Sequence, residues 1–497
     1  MKRFLEILPG FLSWLTLFLM IFISAKLPIF ASIFIILFDS YWLLKTIYLY
    51  LHLRITYKLM RQNLKINWLE KIKEINKEWE KIYHLIIFPM YKEPYEVVYE
   101  SFLSLEKANY PKDKFIVVLA IEERAGIEAQ KTAQKIKEKF ANKFFKFLIT
   151  IHPQNIPGEI PGKGSNEAWA AKQVKQLIID PLKIPYENIL TSVFDIDTQI
   201  FPEYFSRLTY VFNTTKDNLL SIYQPIPLFT NNIYEANALA RTISFSSTFW
   251  QMMQQSRPER LTSFSSQSIP FKALVDIGFW QTDAVSEDSR IFWQCFLHYN
   301  GNFKVTPLIY PISMDANAWP SFWKTIKHLY LQQRRWAWGV DDIPYLIYGF
   351  IKNKFIPLRK KIYWSIHIIE GFWSWATNSI LIFALGWLPV ILGGKEFNST
   401  MISYNLPKIT GFIVQLSTFG VITSAILAII LLPPKPPHFK KWHYIFYVIQ
   451  WLLLPITLIL FGSIPALEAQ TRLMIGGKFR LGFWVTPKLR IKNINPN

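Results

Sequence analysis

Apolar residues gather at the two ends of this sequence, and that distribution limits what the chain can fold into. The runs 11–23 and 29–51 are separated only by Ser24-Ala25-Lys26-Leu27-Pro28. Stretches of this length and composition cross hydrocarbon as helices, because a helix satisfies every backbone N–H and C=O internally. No small-x-small cleavage site follows the charged start, and a second apolar run comes at once, so the pair reads as a transmembrane hairpin. Lys2, Arg3 and the stretch Arg54-Ile55-Thr56-Tyr57-Lys58 put both of its ends on the cytoplasmic side. Three further apolar segments, 372–392, 409–432 and 444–461, close the sequence. Between the two blocks no window is apolar enough to span a bilayer.

This frame decides what the charge means. A net charge of +20 would suggest nucleic acid in a soluble chain. Here the basic residues follow the edges of the apolar segments, which argues against a nucleic-acid partner and for an anionic cytoplasmic leaflet of membrane lipid. The single cysteine, Cys295, excludes an internal disulfide and a cysteine-rich zinc site. The expected organisation is a transmembrane hairpin over 1–53 and an amphipathic linker helix over 54–84, where Trp68, Leu69, Ile72, Ile75, Trp79 and Ile82 recur at helical spacing. A cytosolic domain over 85–340 follows, then interfacial helices within 341–370 (343–350 and 362–369), a transmembrane block over 371–475 and a basic tail over 476–497. Three crossings in that last block would leave the tail outside, whereas its charge places it inside. The last apolar segment is therefore expected to bend at Pro455 and re-enter, or to lie partly in the interface.

In the middle third, strand-like runs at 85–88, 115–121, 144–151 and 189–194 alternate with helical patterns at 96–107, 127–140 and 165–177. The alternation predicts an α/β domain with a mostly parallel sheet and helices on both faces. Ligands meet such sheets beyond the carboxyl ends of the strands. Pro89, Tyr91 and Glu93 follow the first strand, Glu122-Glu123-Arg124 the second, and Asp195-Ile196-Asp197 the fourth. A period of two allows Asp195 and Asp197 to face one side, where two carboxylates suit Mg²⁺ or Mn²⁺, though a plain turn also favours aspartate. Lys163-Gly164-Ser165-Asn166 opens a helix, either as a simple cap or as an anion site with Lys163 as a point charge. Ser286-Glu287-Asp288 opens another. First-turn acids complement the helix dipole, and a carboxylate projecting into a crevice can also act as a general base. Gln332-Gln333-Arg334-Arg335-Trp336 reads as a membrane-edge patch or as a binding platform.

In order and spacing these pieces resemble the processive membrane glycosyltransferases of family 2, the cellulose, chitin and hyaluronan synthase group. The resemblance is carried by Pro89, Tyr91 and Glu93, by Asp195 and Asp197, by Glu287-Asp288, and by the Gln-x-x-Arg-Trp of Gln332, Arg335 and Trp336. Phe483, Val485, Thr486 and Lys488 fill the Phe-x-Val-Thr-x-Lys gating-loop pattern of cellulose synthases. The resemblance implies a GT-A-type glycosyltransferase domain set between two transmembrane blocks, on the cytoplasmic face of the plasma membrane. It implies inverting transfer from a UDP- or GDP-sugar, most simply to a growing β-linked polysaccharide that is exported, alone or with export partner subunits. Asp195 and Asp197 would hold Mg²⁺ or Mn²⁺, Lys163 would offset leaving-group charge, and Asp288 would take the acceptor proton. Pro89, Tyr91, Glu93, Glu122 and Asp195 would bind the donor, and Gln332, Arg335 and Trp336 the acceptor. The family usually has Asp-Asp where this chain has Glu122-Glu123, which leaves the base open. A single transfer to a lipid or short glycan would use the same residues. A transporter with a cytosolic regulatory domain would instead show internal repeats or mid-membrane ionisable sites.

Overall fold

The computed structural model describes residues 1–75, 77–437 and 439–488. Helix α1 (Lys2–Lys26) turns at Leu27 into α2 (Pro28–Asn63), as the hairpin predicts. The linker differs from expectation. Residues 54–63 continue α2, whose Leu53 and Met60 pack with Ile226, Leu228 and Phe249. Only α3 (Trp68–Ile75) and a 3₁₀ turn (Lys77–Lys81) separate α2 from the first strand. Asn76, within the expected linker helix, lies outside the described residues.

The central strands are β1 (Tyr83–Met90), β2 (Phe115–Glu122), β3 (Lys146–His152), β4 (Ile189–Val193), β5 (Gln199–Ile200), β6 (Ser221–Leu228), β7 (Gln267–Pro270) and β8 (Lys304–Ser313). They form one sheet in the order β3-β2-β1-β4-β7-β6-β8-β5. The first four positions are parallel, as is the β6–β8 pair; β7 runs antiparallel to β4 and β6, and β5 to β8. Six of the eight strands therefore run in one direction, as the alternation predicts, and β5 and β7 run against them to make the sheet mixed. Its second half carries Pro225, Pro227, Pro307 and Pro311, and the β6–β8 register shifts between Gln224 and Ile226. A proline cannot donate to a ladder, so these strands do not look like strands in the sequence.

Alternate residues of β1 enter two cores. Ile86 and Phe88 pack toward α4 (Tyr95–Glu106), α5 (Ile127–Phe140) and α7 (Tyr204–Thr214). Leu85 and Ile87 pack toward α6 (Lys163–Val174), α9 (Phe271–Ile277) and α10 (Glu287–His298). Helix α8 (Ala238–Gln255) joins the end of α2 through Ile243, Phe249 and Met252.

After β8 come α11 (Phe322–Ala337), α12 (Asp342–Lys352) and α13 (Leu358–Ile380). Of the two expected interfacial helices only α12 stands alone. Residues 362–369 lie inside α13, which continues into the next apolar segment because nothing in that stretch terminates a helix. Among the described residues five helices are long and apolar enough to cross a membrane: Lys2–Lys26, Pro28–Asn63, Leu358–Leu385, Met401–Ile430 and His443–Ile475. The fifth is helical throughout, yet it tightens to 3₁₀ at Gln450–Leu453, just before Pro455, and widens to π at Ile459–Ser463. Near its start, Gln450 accepts a hydrogen bond from Arg241 of α8 at 2.7 Å. In its middle, Ser463 meets Ser379 deep in α13 at 2.5 Å. At its end, the carbonyls of Leu473 and Ile475 accept from Arg3 at 3.0 and 2.8 Å. Both ends of the segment therefore lie level with the α/β domain and the start of α1.

Candidate active site

The strand β4 stops at Val193, and residues 195–198 form a turn in which the Thr198 N–H donates to the Asp195 carbonyl at 2.8 Å. A two-residue period no longer applies there, so Asp195 and Asp197 turn to different ammonium groups. Asp195 Oδ1 lies 2.9 Å from Lys163 Nζ. Asp197, fully buried, accepts from Lys488 Nζ at 2.7 Å and from the Asp315 N–H at 2.8 Å, both on Oδ2.

Lys163, the first residue of α6, is the centre of the site. Its Nζ is 2.8 Å from Asp288 Oδ1, 3.6 Å from Glu167, 3.7 Å from Glu287 and 3.3 Å from Ser265 Oγ. Burial opposes its charge, but Asp195 and Asp288 lead the neighbouring carboxyl groups that outweigh burial and hold the ammonium protonated well above its usual range. Burial likewise opposes the Asp195 anion, and Lys163 with Lys488 overcomes it, taking that carboxyl down to about 2. Glu167 and Glu287 behave oppositely. Both are buried, and among the described residues none of their four oxygens makes a hydrogen bond. Burial dominates, lifting Glu287 to about 8 and Glu167 in the same direction.

Two glycines permit these approaches. A Cβ on Gly164 would lie 2.8 Å from Glu287 Cβ, so only glycine lets the first turn of α10 close on the first turn of α6. A Cβ on Gly162 would lie 2.6 Å from the ring of Phe483, which the tail lays across this position. Arg335 stands 5.0 Å from the same ring, and Trp484 contacts His328 at 5.7 Å. Val485 is half-buried, Thr486 is buried, and Lys488 ends the segment on Asp197. The tail beyond residue 488 lies outside the described residues.

On α11, Gln332, Arg335 and Trp336 share one face at i, i+3 and i+4. Gln332 Oε1 accepts from Asn317 at 3.1 Å, the charge of Arg335 reaches Glu287, and Trp336 lies 6.3 Å from Phe229. Arg334 turns the other way and pairs with Glu468 at 2.7 Å, tying this helix to the last apolar segment. Beyond β1, Pro89 sits beside Ala120, and half-buried Glu93 accepts from the Tyr91 N–H at 2.7 Å. Burial pushes Glu93 up to about 7 against the pull of backbone N–H groups and Lys488. Glu122 is held by Arg124 at 2.5 and 3.1 Å, and that guanidinium lies 4.7 Å over the Tyr91 ring.

The donor chemistry suits a hard divalent cation. Asp197 Oδ1 is buried with no hydrogen-bond partner among the described residues, an orphaned anionic acceptor that a cation would satisfy. Glu167, Glu287 and Asp288 also bring ligand oxygens within 4.8 Å of one another, around the position taken by the Lys163 ammonium. Glu167, Asp315 and Glu468 carry no expectation from the sequence, and Arg124 is expected only to follow the second strand. Glu167 follows Lys163 by four residues on one helix, a spacing open to inspection. Asp315 and Lys488 meet Asp197 across 118 and 291 residues, with no local signal.

No protein-family model matches the chain, and no curated protein matches it in sequence. Among solved structures it is similar to the mannosyltransferase PcManGT from Pyrobaculum calidifontis in complex with GDP-Man and Mn²⁺, with a TM-score of 0.39 and 11% identity over 82% of this chain and 99% of that one. It is also similar to S. aureus TarS 1-349, with a TM-score of 0.35 and 12% identity over 69% of this chain and 90% of that one. At such scores the chemistry of this chain rests on its own residues.

Proposed function

We propose that this chain is a membrane-embedded, inverting glycosyltransferase that uses a UDP- or GDP-sugar and polymerises a β-linked polysaccharide for export. The observation that carries this reading is the Lys163 ammonium, 2.9 Å from Asp195 and 2.8 Å from Asp288. It joins, through one cation, a carboxylate suited to the donor side and a carboxylate suited to the acceptor side.

In this reading Asp195 and Asp197 hold Mg²⁺ or Mn²⁺ when it is bound, and the ion supplies Lewis-acid charge to the diphosphate. Lys163 offsets negative charge growing on the departing nucleoside diphosphate. The acceptor hydroxyl oxygen bonds to the anomeric carbon as the bond to the diphosphate oxygen breaks, and its proton passes to Asp288, whose side chain is 22% exposed and open to the crevice. Burial favours the neutral forms of Glu167 and Glu287, so Lys163 sits among four carboxyl groups with less negative charge than their number implies. Tyr91, Glu93 and Glu122 flank the nucleoside at the end of β1 beside Pro89. Gln332 and Arg335 orient the acceptor, and the Trp336 indole offers an apolar sugar face its stacking surface. Phe483 to Lys488 close over the donor as a gate, on the cytoplasmic side of the plasma membrane.

Membranes containing the chain, incubated with a panel of radiolabelled UDP- and GDP-sugars, test the reading once the products are sized. Long labelled chains are expected. Label confined to one sugar on a lipid would replace polymerisation with single transfer, and no incorporation from any donor would refute the assignment.

A further inference from the structure

Helices α12 and α13 diverge around an open groove of about 490 Å³ lined by Ile347, Phe350, Ile351, Ile362 and Ile366, with Lys361 and Ser365 at its edge. The groove is apolar and uncovered where α13 begins its long apolar run. Phe355 and Leu358, in the connection between the helices, are 80% and 70% exposed, and Ile366 is 63% exposed. A cluster of this kind facing water would be a liability, so something apolar covers it.

The charges around it say what. Lys352, Lys354, Arg359, Lys360 and Lys361 fall within ten residues, and among the described residues no carboxylate lies within ion-pair distance of any of them. Bases at the α/β domain do meet acids, for example Arg290 with Asp341 and Asp342, and Arg334 with Glu468. Lys361 extends to the mouth of the groove, where its Nζ donates to the Asn353 carbonyl at 2.6 Å, between Lys352 and Lys354 in sequence. An apolar trough with unmatched positive charge at one end complements a molecule with a hydrocarbon tail and an anionic head. A protein partner would need a precise apolar ridge and acids; a lipid needs only the two features present.

We propose that this groove seats an anionic phospholipid, its acyl chain between α12 and α13 and its phosphate on Lys361, Lys354 and Arg359. The proposal requires that the chain enter a bilayer and is independent of sugar transfer.

The test uses the full chain purified in detergent, with native mass spectrometry counting lipid retained after titration with POPG or POPC. One POPG is expected to be retained in preference to POPC. The triple variant Lys354→Gln, Arg359→Gln, Lys361→Gln removes three cations, each worth about 1 kcal/mol at an anionic surface, so POPG retention should fall roughly 100-fold. Ser365→Trp, which fills the groove and leaves the charges, should also abolish retention while the melting temperature stays near that of the parent. Equal retention of POPG and POPC, unchanged retention in both variants, or a second copy of the chain cross-linking through position 362 would each overturn the proposal. Recovery of folded chain without detergent would remove the bilayer requirement and the proposal with it. Sugar transfer measured on the same preparations reports on the enzyme reading separately.

Discussion

Replacing Gly164 with alanine tests whether contact between α6 and α10 sets the position of Asp288, the proposed base. The new Cβ would lie 2.8 Å from Glu287 Cβ and 3.3 Å from the Gln281 carbonyl oxygen. Carbon atoms prefer about 3.5–4.0 Å, so the first turn of α10 must retreat by roughly 0.7–1.2 Å. The obstructing atom is the first carbon of a side chain, fixed to its backbone, and cannot swing away. Asp288 follows Glu287 directly and moves with it, opening its 2.8 Å contact with Lys163. Overpacking on this scale costs about 1–3 kcal/mol, and a displacement of about 1 Å at reacting groups costs roughly a hundredfold in rate. The expected result is a lowered melting temperature and kcat reduced about 100-fold, with a smaller change in KM for the donor because Asp195 and Asp197 sit on another element. Initial rates of radiolabel transfer across a donor titration separate the two parameters. Gly371→Ala, where a Cβ meets nothing within 4 Å, is the control and should behave as the parent. A Gly164→Ala enzyme with parental kcat would refute the claim that this contact places the base.

Asp288→Asn should keep donor affinity in equilibrium dialysis yet lose transfer by about 10²–10⁴-fold, and full transfer would remove Asp288 from the role of base. Glu93 has its folded value pushed from 4.5 to about 7, so the native state favours the protonated form: its contribution is full below pH 4.5 and is lost as pH rises to 7. That change amounts to about 3 kcal/mol, and Glu93→Gln should flatten this part of a melting-temperature profile; an unchanged slope would show that the profile belongs to other groups. Lys488→Met strands the buried Asp197 carboxylate and should lower stability by about 3–5 kcal/mol. Added Mn²⁺ should then raise the melting temperature of this variant more than that of the parent, and equal shifts would count against Asp197 as a cation ligand.

Much of the first half of the domain was legible because its elements keep one period each. The helix predicted over 127–140 is observed as Ile127–Phe140, and the strand predicted over 115–121 as Phe115–Glu122, since buried parallel strands read as apolar runs. The second half was not legible, because prolines in β6 and β8 conceal strands whose ladders tolerate them through a register shift. At the site, the sequence pointed to Asp195, Asp288 and Lys163 as separate pieces. Their convergence depends on Gly164, whose meaning emerges only when α10 is in place. The Asp-x-Asp was read with a strand period, although the strand had already ended at Val193 and the backbone had entered a turn. Lys488 could be singled out by motif, but its partner could not, because nothing local couples positions so far apart.

The path of the final apolar helix has a consequence for the arithmetic of insertion. A segment that leaves and returns by the same face adds zero to the number of crossings. If, as proposed, the other four long helices each cross a bilayer, they give an even total, and an even total returns the tail to the side on which the chain begins. The bond from Lys488 to Asp197 can form only under that parity. In the proposed reading it would act as a checksum on membrane topology, formed only when the helices before it are threaded in a consistent sense.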